Sequence, residues 1–344
     1  MTSFRNRSAS VLAALFTAGT CMAIAEARGG LPFQQPPEAR TAAAGDLEVL
    51  ELRPNFFLIA GAGAHISVQV GDDGVVVVDG GTAARADAVV AAVKRITPRP
   101  IRYVIDTSAD ADHVGGNETL SKAGQTLFTN AGSIGITGNF LGGVASILSH
   151  ENVLTRVSAP TGKSASFPVG VWPTETFDEA RKYMYLNGEG IEVLHQPAAH
   201  TDGDVIVFFR RSDVVVAGDV LDTRRFPTID VARGGSVNGE IAALNKLVEL
   251  AIPSVPIVSR EAGTLVIPGH GRVCDQYDVL EYRDMVTIIR DRVRDSIKAG
   301  MTLEQIKASS PARGYTRRYG ADSGDWTTSN FIDAVYQSLI KEKA

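Results

Sequence analysis

A chain of 344 residues, 44% of them hydrophobic, is long enough for one large α/β domain or two small ones. Its net charge of −5 and its lack of any Lys/Arg run exclude nucleic acid as an expected partner. With two cysteines, Cys21 and Cys274, a multi-thiolate metal site is also excluded, so any metal must be held by His and carboxylates.

Arg5 and Arg7 precede an apolar stretch at residues 11–16, and small residues offer cleavage after Ala25 or Ala27. This three-part pattern predicts a secretory signal peptide over residues 1–27 and a periplasmic or secreted protein; the apolar run is shorter than the ~20 residues that span a bilayer. Cys21 leaves with the signal, so Cys274 has no partner for an internal disulfide. Residues 28–45, rich in Pro, Gln, Ala and Gly, read as a flexible lead-in. No later segment is long and apolar enough to cross a membrane.

Regular structure is expected from Leu47. Residues 66–70 and 75–78 flank Gly71-Asp72-Asp73-Gly74, the composition of a hairpin turn. Asp79-Gly80-Gly81 ends the second strand, and residues 83–96 have the apolar spacing of an amphipathic helix stopped by Pro98 and Pro100. A strand at 101–105 follows. Residues 132–161 read as a helix-and-loop insertion. Further strands are expected at 190–194, 205–209, 214–217 and 265–267, and helices at 239–250, 277–298, 303–308 and 330–341. The order is β-rich then αβ, repeated once, which suits two sheets packed face to face with helices outside. The domain is expected to occupy 46–275, with a helical extension packed on it at 276–344.

The segment Asp106-Thr107-Ser108-Ala109-Asp110-Ala111-Asp112-His113-Val114-Gly115-Gly116-Asn117 carries the most chemistry. Asp110, Asp112 and His113 crowd into four positions, which is unfavourable unless a cation or hydrogen-bond donors offset the charge. Other polar clusters stand at strand ends: His195 to Asp204, Gly218-Asp219 and Pro268-Gly269-His270-Gly271. Ligands on rigid strand ends, far apart in sequence, are what a folded metal site needs.

Taken in order, these blocks resemble the metallo-β-lactamase superfamily, whose signature is Thr-His-x-His-x-Asp-His-x-Gly-Gly followed by His-, Asp- and His-bearing blocks. The resemblance covers residues 47–275 and implies a four-layer αβ/βα sandwich of the α/β class. It implies metal ligands at Asp112, His113 and His270, with His200 at a first site and Asp219 bridging, as in glyoxalase II-like hydrolases. Where the family has two His, this chain has Ser108 and Asp110. Ser108, a neutral hydroxyl, reads as a hydrogen-bond partner of water or loop backbone. Asp110 reads as a ligand that would favour Mn or Fe, or a second zinc held loosely, or as a loop-capping carboxylate. Asp79 is expected to hydrogen-bond a ligand His or the loop. His195 reads as packed, His150 as solvent-facing, and His65 as lying near the sandwich edge. Trp172, Phe140 and Leu141 are candidates for a pocket wall.

The expected function is that of an exported hydrolase holding one or two Zn2+ (or Mn or Fe), which would make hydroxide from water at neutral pH to attack an amide, ester, lactone or thioester carbonyl of a small molecule. β-Lactamase activity would be secondary. Asp112 or Asp110 would accept the proton if crowding raises its pKa, and His200 would complete the second metal site or hydrogen-bond the oxyanion. Two alternatives stand beside this: a binding protein of the same fold whose altered first site cannot hold two metals, and a metal-dependent oxidoreductase.

Overall fold

The computed structural model describes residues 47–127, 143–161, 164–255 and 263–341; the expected signal peptide and lead-in, with Cys21, Phe140 and Leu141, lie outside them. Strands β1 (Glu48–Arg53) and β2 (Phe56–Ala60) turn through Asn55, at φ 65°, a conformation Asn tolerates better than most side chains. Strands β3 (Ile66–Gly71) and β4 (Gly74–Val78) form the expected hairpin, with Gly71 opposite Gly74. Every residue of β4 is buried, as a strand covered on both faces must be. Helix α1 (Ala86–Ile96) then crosses to β5 (Ile101–Ile105), which lies parallel to β4.

After β5 come the short helix α2 (Ala111–Val114) and α3 (Asn117–Ala123). Within the region expected to be an insertion, β6 (Ser146–His150) instead joins the sheet beside β5, followed by α4 (Glu151–Ser158). The polar residues Ser146, Ser149 and His150 interrupt the apolar run and hide this strand from a pattern reading. A ribbon of β7 (Pro160–Thr161) and β8 (Ser164–Ala165) precedes β9 (Glu175–Phe177), which ends the seven-stranded sheet β1-β2-β3-β4-β5-β6-β9.

The second sheet, β10-β11-β12-β13-β14, comprises β10 (Arg181–Leu186), β11 (Glu189–Gln196), β12 (Asp204–Phe209), β13 (Val214–Asp222) and β14 (Leu265–His270). Helix α5 (Val237–Leu250) links β13 to its parallel neighbour β14. Helices α6 (Gln276–Lys298), α7 (Leu303–Ala308), α8 (Thr316–Tyr319) and α9 (Thr328–Lys341) follow. None of the described helices is long and apolar enough to cross a membrane.

The period-2 alternation of the strands sorts their side chains into layers. Val76, Val78 and Ile105 of the first sheet meet Val207, Phe209, Val214, Val216 and Ile267 of the second in the central core, where Phe56 and Phe209 pack edge to face at 5.0 Å. The alternate residues Val75, Val77 and Val104 face outward under Val89 and Val93 of α1 and Leu120 of α3. On the far side Val215 and Val266 lie under Leu244 of α5, Tyr282 of α6 and Phe331 of α9. Each such fully buried side chain contributes about 1.5–3 kcal/mol by leaving water. The result is a four-layer αβ/βα sandwich whose strand ends converge on one edge.

Candidate metal centre

Strand β5 carries the chain into the site. Beyond it Asp106, Thr107 and Ser108 are buried, and α2 places Asp112 and His113 on adjacent positions of one turn. The following glycines make this turn possible: a Cβ on Gly116 would stand 2.1 Å from the carbonyl oxygen of Gly80. From the second sheet, β13 brings Asp219 next to Gly218, at φ 55°, where the pairing with β14 shifts register. Irregularities of this kind re-aim side chains beside functional sites. His270 ends β14, and His200 lies between β11 and β12.

These residues meet. His270 Nε2 lies 3.1 Å from Asp112 Oδ2 and 3.7 Å from Asp219 Oδ1. His113 Nε2 lies 3.1 Å from Asp219 Oδ2, and the His113 and His270 rings are 6.0 Å apart, nearly perpendicular. His200 stands with Nδ1 3.9 Å from Asp219 Oδ2 and Nε2 3.5 Å from Asp110 Oδ2. The ligand atoms of Asp112, His113 and His270 lie within 4.8 Å of one another, as do those of Asp110, His200 and Asp219.

Asp79 holds the innermost imidazole in place. Fully buried, it accepts hydrogen bonds from Thr107 N (2.8 Å) and Thr107 Oγ1 (2.8 Å), and its Oδ2 lies 3.0 Å from His113 Nδ1. A carboxylate at Nδ1 fixes a proton there, so that Nε2, facing Asp219 and His270, is the nitrogen whose proton an incoming cation would displace. That Nε2 is buried without an aligned hydrogen-bond partner, although Asp219 is close, whereas the buried His200 Nδ1 lies 3.4 Å from Asp204 Oδ1. A buried imidazole nitrogen aimed at a ligand carboxylate but not bonded to it fits a divalent cation held between the side chains.

Charge balance agrees. Burial opposes ionisation of Asp219, yet His113, His200 and His270 hold its carboxyl far below the usual range. Burial likewise opposes charge on the imidazoles, but Asp219 and Asp79 raise His113 well above its ordinary value, and Asp204 and Asp219 push His200 up to about 9. Asp112 departs from the sequence expectation. Burial raises its pKa, but the hydrogen bond with His270 and the nearness of His113 bring it below the ordinary value, so crowding does not make it the stronger base.

The Ser108-Asp110 departure now has a structure. Ser108 Oγ accepts the Asp110 backbone N–H at 3.1 Å, the loop-bonding role expected of it. Asp110 is the N-cap residue of α2 but makes no side-chain cap. Its carboxylate is paired with the guanidinium of Arg233, through Nη1 and, at 3.4 Å, Nη2. Arg233 was not a sequence candidate, since its partner is 123 positions away.

A cavity of about 270 Å³ opens over Asp110, Asp112, His200, Asp219 and His270. Arg225 and Trp326 wall it, neither of them marked by its local sequence. Arg225 donates to Asp222 (3.0 Å) and to Asp325 (2.9 Å), so it ties the segment before α9 to the end of β13. Trp172 instead packs beside Val114 and Val171 and hydrogen-bonds the Phe167 carbonyl, away from the cavity.

The remaining histidines are structural. His195 is packed as expected, 2.7 Å from the Asp202 carbonyl. His150, expected to face solvent, is 5% exposed and stacks on His195 at 3.5 Å. It ends a strand rather than lying in a surface insertion, and its Nδ1 caps α4 by accepting from Asn152 N. His65 Nδ1 lies 3.0 Å from the Pro268 carbonyl. Burial pushes the Cys274 thiol up to about 12, which makes it inert as a ligand.

A sequence model of the metallo-beta-lactamase superfamily matches residues 61–127, the stretch holding Asp79, Asp110, Asp112 and His113. The linear primary-alkylsulfatase of Pseudomonas sp. is 19% identical over 297 residues, 78% of this chain and 54% of that protein. The stereoselective inverting sec-alkylsulfatase of Pseudomonas sp. shares the fold with a TM-score of 0.58 at 18% identity, over 85% of this chain and 50% of that one. The metallo-beta-lactamase from Pontibacter korlensis does so with a TM-score of 0.53 at 16% identity, over 70% of this chain and 99% of that one. This chain therefore spans about half the length of the alkylsulfatases it resembles.

Proposed function

We propose that this chain, whose residues 61–127 match the metallo-beta-lactamase superfamily model, is a metal-dependent hydrolase of small esters or related carbonyl compounds. The observation that carries this reading is the convergence of Asp112, His113, Asp219 and His270, with the buried His113 Nε2 left unbonded among them. A divalent cation bound there would supply Lewis acidity and lower the pKa of a bound water toward neutral. Zinc suits the mixed imidazole and carboxylate donors, and manganese or iron suits a set this rich in oxygen.

The chain's own residues do the rest. Asp79 fixes the His113 tautomer through Nδ1, and Asp219 faces all three imidazoles. Trp326 and Arg225 bound the cavity, and Arg225 brings a positive charge to a wall that otherwise holds the carboxylates of Asp222 and Asp325. Because Nε and Nη1 of Arg225 already serve Asp222 and Asp325, an anionic group of a substrate would meet its Nη2 while the reacting bond lies over Asp219.

Arg225 also favours a second reading, a sulfate ester as substrate, because two of the similar proteins are named alkylsulfatases. A panel of p-nitrophenyl acetate, a lactone, a thioester, nitrocefin, p-nitrophenyl sulfate and dodecyl sulfate separates the readings. Turnover of any carbonyl substrate, lost on chelation and restored by zinc or manganese, supports the first. Turnover confined to the sulfates supports the second, and metal binding with no turnover leaves a binding protein. Export belongs to the same proposal and rests on residues 1–27; the N-terminus of protein from the periplasm or medium should be Glu26 or Arg28, and an intact Met1 there would refute cleavage.

A further inference from the structure

Of the two groups of candidate ligands, one is not free to bind. The Asp110 carboxylate is gripped by two nitrogens of Arg233, and this pair is about two-thirds buried on both sides. The arginine is itself fixed. Its Nε donates to Asp230 Oδ2 at 2.6 Å, and its backbone N–H donates to Asp230 Oδ1 at 2.9 Å. Asp230 N donates to the His200 carbonyl at 2.9 Å, and the Arg233 carbonyl accepts from Asp202 N at 3.0 Å. The turn that bears Arg233 is thus bonded to the loop that bears His200, and Gly234, at φ 90°, lets the chain leave it sharply.

A guanidinium differs from an imidazolium in this position. A histidine proton can be displaced by an incoming ion, but arginine does not give up its proton in proteins. Any dication entering between Asp110 and His200 would have to break a bidentate ion pair and stay beside the positive charge it freed. Ser108 offers little compensation, because a neutral hydroxyl brings no charge to offset the ion and this one also accepts the Asp110 backbone N–H. What remains is His200 and Asp219, and Asp219 also faces the other group. Two protein ligands, one of them shared, fall short of the three that a catalytic zinc ordinarily has.

We infer that Arg233 takes the place of a second cation, so that the centre holds one divalent ion, among Asp112, His113, Asp219 and His270, beside a fixed guanidinium–carboxylate pair. This rests on the metal centre proposed above and adds its stoichiometry. Arg233 is a positioning residue: it neutralises Asp110 and keeps His200 available to hydrogen-bond whatever lies over Asp219.

The test is equilibrium dialysis of the mature protein against zinc chloride and, separately, manganese chloride, with elemental analysis of the wild type, Arg233→Met and Asp110→Asn. The expected result is one ion per chain in the wild type, one in Asp110→Asn with affinity changed less than threefold, and a second, weaker ion in Arg233→Met. Two ions in the wild type, one of them lost in Asp110→Asn, would overturn the inference. So would a single ion in a folded Arg233→Met, whose fold is checked by circular dichroism. If Arg233→Met does not fold, the wild type and Asp110→Asn decide between one site and two. No ion in any of the three would overturn the hydrolase proposal and this inference together, an outcome distinct from a single ion everywhere.

Discussion

Asp79→Asn isolates the part of the site that touches no substrate. The backbone at residue 79 has φ 66°, a region Asn occupies readily, and the two side chains are nearly isosteric, so the turn should survive. The chemistry does not. The carboxylate now accepts from Thr107 N and Thr107 Oγ1 and sits 3.0 Å from His113 Nδ1. An amide can keep the Thr107 N–H bond with its oxygen, but its buried NH2 must then find an acceptor: Thr107 Oγ1 at 2.8 Å, whose hydroxyl proton would then turn to His113 Nδ1 at 3.0 Å, or His113 Nδ1 itself, so that either way Nδ1 becomes the acceptor. That reverses the tautomer and places the ring proton on Nε2, the nitrogen that faces Asp219 at 3.1 Å. Loss of such an orienting partner costs metal affinity about 10- to 100-fold, or about 1.4–2.8 kcal/mol. Competition for zinc against a chromophoric chelator measures it directly. An affinity within twofold of the wild type would refute the view that Asp79 sets the His113 tautomer.

Three further outcomes follow from the same geometry. Burial opposes charge on His113, but Asp219 and Asp79 outweigh it and raise its pKa in the metal-free fold; the stability from its ion pairs is present below the unfolded pKa near 6.5 and is lost as pH rises through the raised value. Zinc binding at pH 7 should therefore release at least one proton and tighten with rising pH; calorimetry in two buffers of different ionisation enthalpy showing no release would contradict this. Gly116→Ala should destabilise by about 1–3 kcal/mol or more, since its Cβ would stand 2.1 Å from the Gly80 carbonyl oxygen; an unchanged Tm would show that this approach is not tight. Arg225→Met should raise KM for anionic substrates at least fivefold over its effect on neutral esters, and equal effects would remove Arg225 from recognition.

Much of this is legible in the sequence. The runs at 66–70, 75–78 and 101–105 are strands because their residues are apolar, β-branched and bounded by turn formers, and the candidate ligands Asp112 and His113 follow the last of them. Asp112, His113, Asp219 and His270 are close because parallel and antiparallel strands from two sheets end at one edge, which the ordered motifs imply. Arg233 escaped notice since an ion pair 123 residues apart leaves no local pattern, and a lone Arg before two glycines reads as a turn. Trp326 and Arg225 were missed for the same reason, as their role depends on how the segment before α9 folds back over β13. His150 was misplaced because β6, broken by serines, does not show the period that its burial requires.

The central claim is that His113 and His270, from different sheets, share a divalent ion with Asp112 and Asp219. Anomalous diffraction from crystals grown with zinc, collected on both sides of the zinc edge, tests it most directly. The account predicts a peak between the four side chains, within about 2.0–2.2 Å of His113 Nε2 and His270 Nε2. Zinc bound elsewhere, with His113 Nε2 still turned to Asp219 alone, would contradict it.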